Sequence, residues 1–119
     1  MEIGLLIRWG KIVPGREAQA IELFEESSKY YSEKVASKVI TSFEPFFFAT
    51  SDLEQETGFF VLKGPAPEMF RLMEEEEYHR LMQKGMLLLE HLQADLLTVG
   101  EGIVAELRRF ATVRAELGM

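Results

Sequence analysis

The chain has 119 residues, 47% hydrophobic and 28% charged, with 20 acidic side chains against 13 basic ones and a net charge of -7. That length supports one domain over residues 1–119, able to bury roughly two-thirds of its unfolded surface. The acidic balance, without a clustered Lys/Arg footprint, excludes a phosphate-backbone partner, so no nucleic acid is expected. Cysteine is absent, which removes disulfides, thiolate metal sites and cysteine nucleophiles. The first apolar run is too short to span a bilayer and lacks a small-residue cleavage site, so a cytoplasmic protein with no membrane partner is predicted.

Ile3, Leu5, Ile7 and Trp9 share one face of a period-2 strand, while Gly4, Leu6, Arg8 and Gly10 share the other. Pro14 presets φ and Gly15 accepts φ > 0, the two central positions of a type II turn. The turn releases an amphipathic helix from about Arg16 to Lys38, with Ala18, Ile21, Phe24, Ser28, Tyr31 and Val35 as its apolar stripe. Glu26, Tyr30, Glu33 and Lys34 read as a solvated face of that helix. Ile40 to Thr50 is β-branched and aromatic and so strand-like, but Pro45 cannot donate to a ladder and places the strand at an edge or on a bulge. After a polar connection over Ser51 to Thr57, Phe59 to Lys63 completes a hairpin.

Gly64-Pro65-Ala66-Pro67 opens a second helical region from about Pro67 to Leu92. The adjacent carboxylates from Glu74 to Glu77 repel one another and belong at the start of a new helix, so a break is expected there. A last strand over Asp95 to Val99 and a turn at Gly100-Glu101-Gly102 precede residues 103–117. That segment fits both a helical stripe and a near alternation; its Ala, Glu, Leu and Arg content favours a helix.

The resulting order, strand-helix-strand-strand-helix-strand with an extra C-terminal helix, is a ferredoxin-like βαββαβ arrangement of the α+β class, with an antiparallel sheet. Ile7-Arg8-Trp9-Gly10-Lys11-Ile12-Val13-Pro14-Gly15-Arg16-Glu17 and Glu76-Glu77-Tyr78-His79-Arg80-Leu81-Met82 carry a resemblance to the dimeric α+β barrel superfamily. That superfamily contains the antibiotic-biosynthesis-monooxygenase-like and haem-degrading-monooxygenase-like proteins. The resemblance implies a strand order 4-1-3-2 with the Pro45 strand at an edge. It also implies a homodimer in which the face bearing Leu6 and Arg8 is buried.

In haem-degrading relatives a histidine on the late helix is the iron ligand, working with an asparagine on the first strand and a tryptophan elsewhere. His79 is the counterpart, but Leu5 to Trp9 supply no asparagine, and His79 lies at the flank of the apolar stripe, where a surface histidine beside Glu75 and Glu76 is expected. No metal site and no cofactor are expected, since two histidines twelve residues apart lack a paired carboxylate motif. Arg8 and Glu44 read as an interface or core-edge ion pair. Trp9, Phe43, Phe47, Phe59, Phe60 and Phe70 either fill a core or line an apolar pocket with Tyr31, Tyr78 or His79 at its mouth. With such a pocket, the resemblance implies two functions: a homodimeric barrel that binds a hydrophobic small molecule, or a cofactor-independent monooxygenase-like enzyme acting on an aromatic substrate. A haem-degrading variant ranks third.

Overall fold

The computed structural model describes residues 1–50 and 57–119. The polar connection anticipated between the hairpin strands therefore lies, Thr57 apart, outside the described residues. In chain order the elements are β1 (Glu2–Trp9), α1 (Glu17–Ala36), β2 (Ser42–Phe47), β3 (Gly58–Pro65), α2 (Ala66–Glu74), α3 (Glu76–Leu88), β4 (Gln93–Thr98) and α4 (Glu101–Glu116). The four strands form one antiparallel sheet in the order β2-β3-β1-β4, as the ferredoxin-like reading requires. β2 is an edge strand, and Pro45 stands opposite Phe60. An edge tolerates the missing donor.

Register sorts the side chains onto two faces. Leu5, Ile7 and Trp9 of β1 share a face with Leu62 and Phe60 of β3. Against them pack Tyr31 of α1, Met69 and Leu72 of α2, and Tyr78 of α3, which together form the core. Gly4, Leu6 and Arg8 share the opposite face with Lys63, Val61 and Phe59. Phe46 joins them, its ring stacked on Phe59 at 4.9 Å.

The turn after β1 is closed by the Arg16 N–H donating to the Val13 carbonyl at 3.0 Å, with Gly15 at φ +84°. Between β1 and that turn the backbone adds a pairing that periodicity does not announce. Gly10 N–H donates to Glu90 O at 2.7 Å, Val13 N–H to Leu88 O at 2.9 Å, and Glu90 N–H to Lys11 O at 2.9 Å. The segment after α3 is thereby zipped to the end of β1.

α1 buries Ala20, Leu23, Ser27 and Tyr31. The expected stripe is corrected in its first half: Ala18 and Ile21 are exposed, and the buried line runs one residue earlier than Ile21, Phe24 and Ser28. The two lines meet at Tyr31, because a stripe about 100° wide drifts only slowly along a helix. α1 ends in a Schellman motif, with Val39 N–H donating to Lys34 O at 2.9 Å, Lys38 N–H to Val35 O at 3.0 Å, and Lys38 itself at φ +64°.

The second helical region breaks at Glu75, whose extended backbone (φ -66°, ψ 141°) ends α2 and starts α3. The acidic run has that effect because its carboxylates repel within a continuous helix, and Glu75 gains partners on α1 instead. Residues 101–116 are helical, but α4 leaves Ile103, Leu107, Phe110 and Leu117 exposed. The radius of gyration is 16.9 Å, against about 13.5 Å for a compact chain of this length. Among the described residues no helix is long and apolar enough to cross a membrane.

Candidate functional site

The helix-facing side of the sheet is not completely filled. A cavity of about 300 Å³ lies between it, α1 and α3. Ile7, Trp9 and Phe60 form its floor; Ala20, Leu23, Phe24, Ser27 and Tyr31 of α1 form one wall, and Leu81, Met82 and Gly85 of α3 the other. Ile12 and Leu89, joined by a strand bridge, close it together with Leu92. At Gly85 a Cβ would stand 2.8 Å from Cδ2 of Leu92, so a larger residue there would push the leucine tip aside.

The aromatic walls are mutually braced. Trp9 meets Phe60 edge-on at 4.9 Å, and Phe24 lies 5.5 Å from Phe60 and stacks on Phe47 at 5.3 Å. Such pairs hold ring planes against one another and present flat apolar surface to the space between. Phe47 and Ile21 are lining residues that remain 62% and 57% exposed, so they stand at the opening.

Polar groups are few: Ser27, Tyr31 and Thr57. Burial, and then the neighbouring Tyr78 and Tyr30, push the Tyr31 phenol well above its ordinary value. It is a neutral hydroxyl at any physiological pH. None of the described lining residues is a carboxylate, a histidine or a cation.

The helices walling the cavity are clasped along their outer seam. Glu26 accepts from Lys84 at 2.9 Å and from Arg80 at 2.5 Å, and these bonds hold its carboxyl below the usual range. At the other end Glu75 accepts from Lys34 and from the Tyr30 hydroxyl at 2.9 Å. Tyr30, Lys34 and Glu26 are thus seam residues and not a solvated face. Sequence spacing missed this because their partners lie on α3 and at its start.

Of the anticipated pocket residues, the structure brings together Trp9, Phe47, Phe60 and Tyr31. Phe43 packs beside Tyr31 and Phe60 at 5.4 and 5.0 Å, next to the cavity but outside its lining. Phe59 projects from the opposite face, because one residue along a strand reverses direction. Phe70 lies on α2 and is 48% exposed. Tyr78 is buried one turn of α3 before the cavity wall, and His79 beside it is exposed, their rings 5.8 Å apart. His79 is not among the described lining residues. Arg8 reaches Gln93 at 2.9 Å and Asp95 at 3.4 Å across β4, and Glu44 is not its partner. Among the described residues no group of His, Asp or Glu side chains could hold a metal ion.

Ala20, Leu23 and Ser27, at spacings of three and four, were discoverable from helical periodicity. Ile12 was not, since it reaches the site through an isolated strand bridge to Leu89.

No protein-family model matches the chain, and no curated protein does. Among solved structures it is similar to a protein of the ethyl tert-butyl ether degradation (EthD) family from Bacillus halodurans C-125. The TM-score is 0.54 at 12% identity, covering 80% of this chain and 97% of that one. It is also similar to an uncharacterized NIPSNAP-like domain protein from Burkholderia xenovorans, with a TM-score of 0.52 at 15% identity, covering 83% of this chain and 85% of that one. The chain thus shares its α+β fold with these two proteins, and identities of 12% and 15% carry the fold alone.

Proposed function

We propose that this protein binds a small, flat, hydrophobic molecule between its sheet and the α1-α3 pair, and works as a homodimer. The observation that carries the reading is the cavity itself. Its volume of about 300 Å³ lies at the lower end of the range of ligand sites, ~300–1,000 Å³, and its walls are aromatic and aliphatic with few polar groups, the usual make-up of such sites. The cofactor-independent oxygenase alternative needs a base to draw a proton from its substrate. The described lining provides hydroxyls and the Trp9 indole N–H, none of them a base, with the Tyr31 phenol pushed upward, so binding is favoured over catalysis.

Equilibrium dialysis against naphthalene tests the binding reading. Saturable binding at one site per chain is expected, and Ala20→Phe, which fills the space beside Leu23, abolishes it while leaving the far-UV circular dichroism intact. Absence of saturable binding by the parent protein overturns the reading. Mass spectrometry of small molecules co-purifying with the protein then identifies the natural occupant.

A further inference from the structure

Ser27 and Tyr31 stand one helical turn apart on α1 and both line the cavity. They are 7% and 1% exposed, yet neither hydroxyl makes a hydrogen bond with any described residue. This is unusual on two counts. A helical serine ordinarily returns its hydroxyl to the carbonyl four residues back, as Thr112 does to Arg108 at 3.2 Å. And a tyrosine at the centre of a core is costly when its hydroxyl lacks a partner, in a chain that uses phenylalanine nine times.

The neighbouring Ser28 provides the contrast. Its oxygen is sealed within protein without a partner, whereas Ser27 and Tyr31 are residues of the cavity lining. A phenylalanine at position 31 would pack against Phe43 and Phe60 equally well. The hydroxyl adds nothing to that packing.

Resting on the reading of the cavity as a ligand site, we infer that Ser27 and Tyr31 form a polar subsite selecting neutral, mono-oxygenated hydrocarbons: a phenol, an alcohol or a ketone on an otherwise apolar skeleton. One hydroxyl donates to the ligand oxygen, and the other donates to it or accepts from it, as both groups can do either. Neutrality follows from the surroundings. An anionic head group would lose its hydration with no cation among the described lining residues to compensate, in a chain of net charge -7. A hydrocarbon without oxygen would leave both hydroxyls unmet.

The test compares three probes sharing one ring system, naphthalene, 2-naphthol and 2-naphthoate, by equilibrium dialysis with the parent protein, Ser27→Ala, Tyr31→Phe and the double variant. Circular dichroism melting confirms that each is folded. Ser27→Ala serves alone should the tyrosine variant fail to fold. The double variant is expected to lose about tenfold or more in 2-naphthol affinity, each single variant part of this, with naphthalene affinity unchanged or raised. 2-Naphthoate should bind the parent at least tenfold more weakly than 2-naphthol. Unchanged 2-naphthol affinity in the variants, or 2-naphthoate binding as well as 2-naphthol, overturns the subsite while naphthalene binding leaves the cavity reading standing. If none of the three probes binds, both fail together.

Discussion

Lys34 of α1 donates to both carboxylate oxygens of Glu75, 41 residues away, at 2.7 Å each. The contact sits where the chain leaves α2 for α3 and ties the start of α3 to α1. Burial works against the Glu75 charge, but the hydrogen bonds from Lys34 and Tyr30 outweigh it and hold the carboxyl below its ordinary value.

A carboxylate with a lowered folded-state pKa contributes stability above its unfolded value, and that contribution is lost as pH falls through the folded one. Glu75→Gln should therefore destabilise the protein at neutral pH and flatten the acid limb of its stability profile below the ordinary value of 4.5. Both side chains are partly exposed, so the cost at neutral pH is about 1 kcal/mol and not the ~3–5 kcal/mol of a sealed pair. Urea unfolding at neutral and acid pH reads both effects. An unaltered pH profile contradicts the assignment.

Lys38 holds φ +64° to complete the Schellman motif at the end of α1. That conformation strains any residue with a Cβ by about 1–2 kcal/mol, part of which glycine gives back through its own unfolded-state entropy. Lys38→Gly should raise stability by about 0.5–1 kcal/mol, measured as a higher urea midpoint at constant m. A fall in the midpoint would mean that the lysine side chain contributes something the motif does not require.

Trp9 is buried beside Phe60 and Phe47 and also lines the cavity. Its emission should be blue-shifted and poorly quenched by iodide, and should shift further when a non-absorbing hydrocarbon such as decalin is added. Because the space beside it is already open, Trp9→Ala should cost about 2–3 kcal/mol, below the ~3–5 kcal/mol of a fully packed site. Strong iodide quenching of the native protein would place the indole outside the core.

Leu6, Phe46, Phe59 and Val61 share the sheet face that α1, α2 and α3 leave uncovered. Burial at around 25 cal/mol per Å² favours association through such a face. Sedimentation should give a dimer at micromolar concentration, and Val61→Glu, which sets a second carboxylate across from Glu44, should convert it to the 13.6 kDa monomer. A parent protein that sediments only at 13.6 kDa ends this proposal.

What the sequence determined by itself was everything governed by neighbours in the chain. The alternation of β1 named the buried face through Trp9. Pro14-Gly15 specified its turn, Pro45 its edge strand, and the carboxylates around Glu75 the division between α2 and α3. Each of these depends on backbone geometry or repulsion within a few residues, which a sequence displays directly. The tertiary structure decided what depends on distant residues meeting. Whether the phenylalanines fill the core is a sum of volumes from α1, α3 and the sheet, and the sum falls short by a cavity that no single element reveals. Phe59 and Phe60 are chemically alike, yet the register with β1 sends one outward and the other to the cavity floor. Tyr31 was legible as buried; that its hydroxyl and that of Ser27 would lack partners was not, because a missing hydrogen bond is a property of the surrounding fold and never of the residue that lacks it.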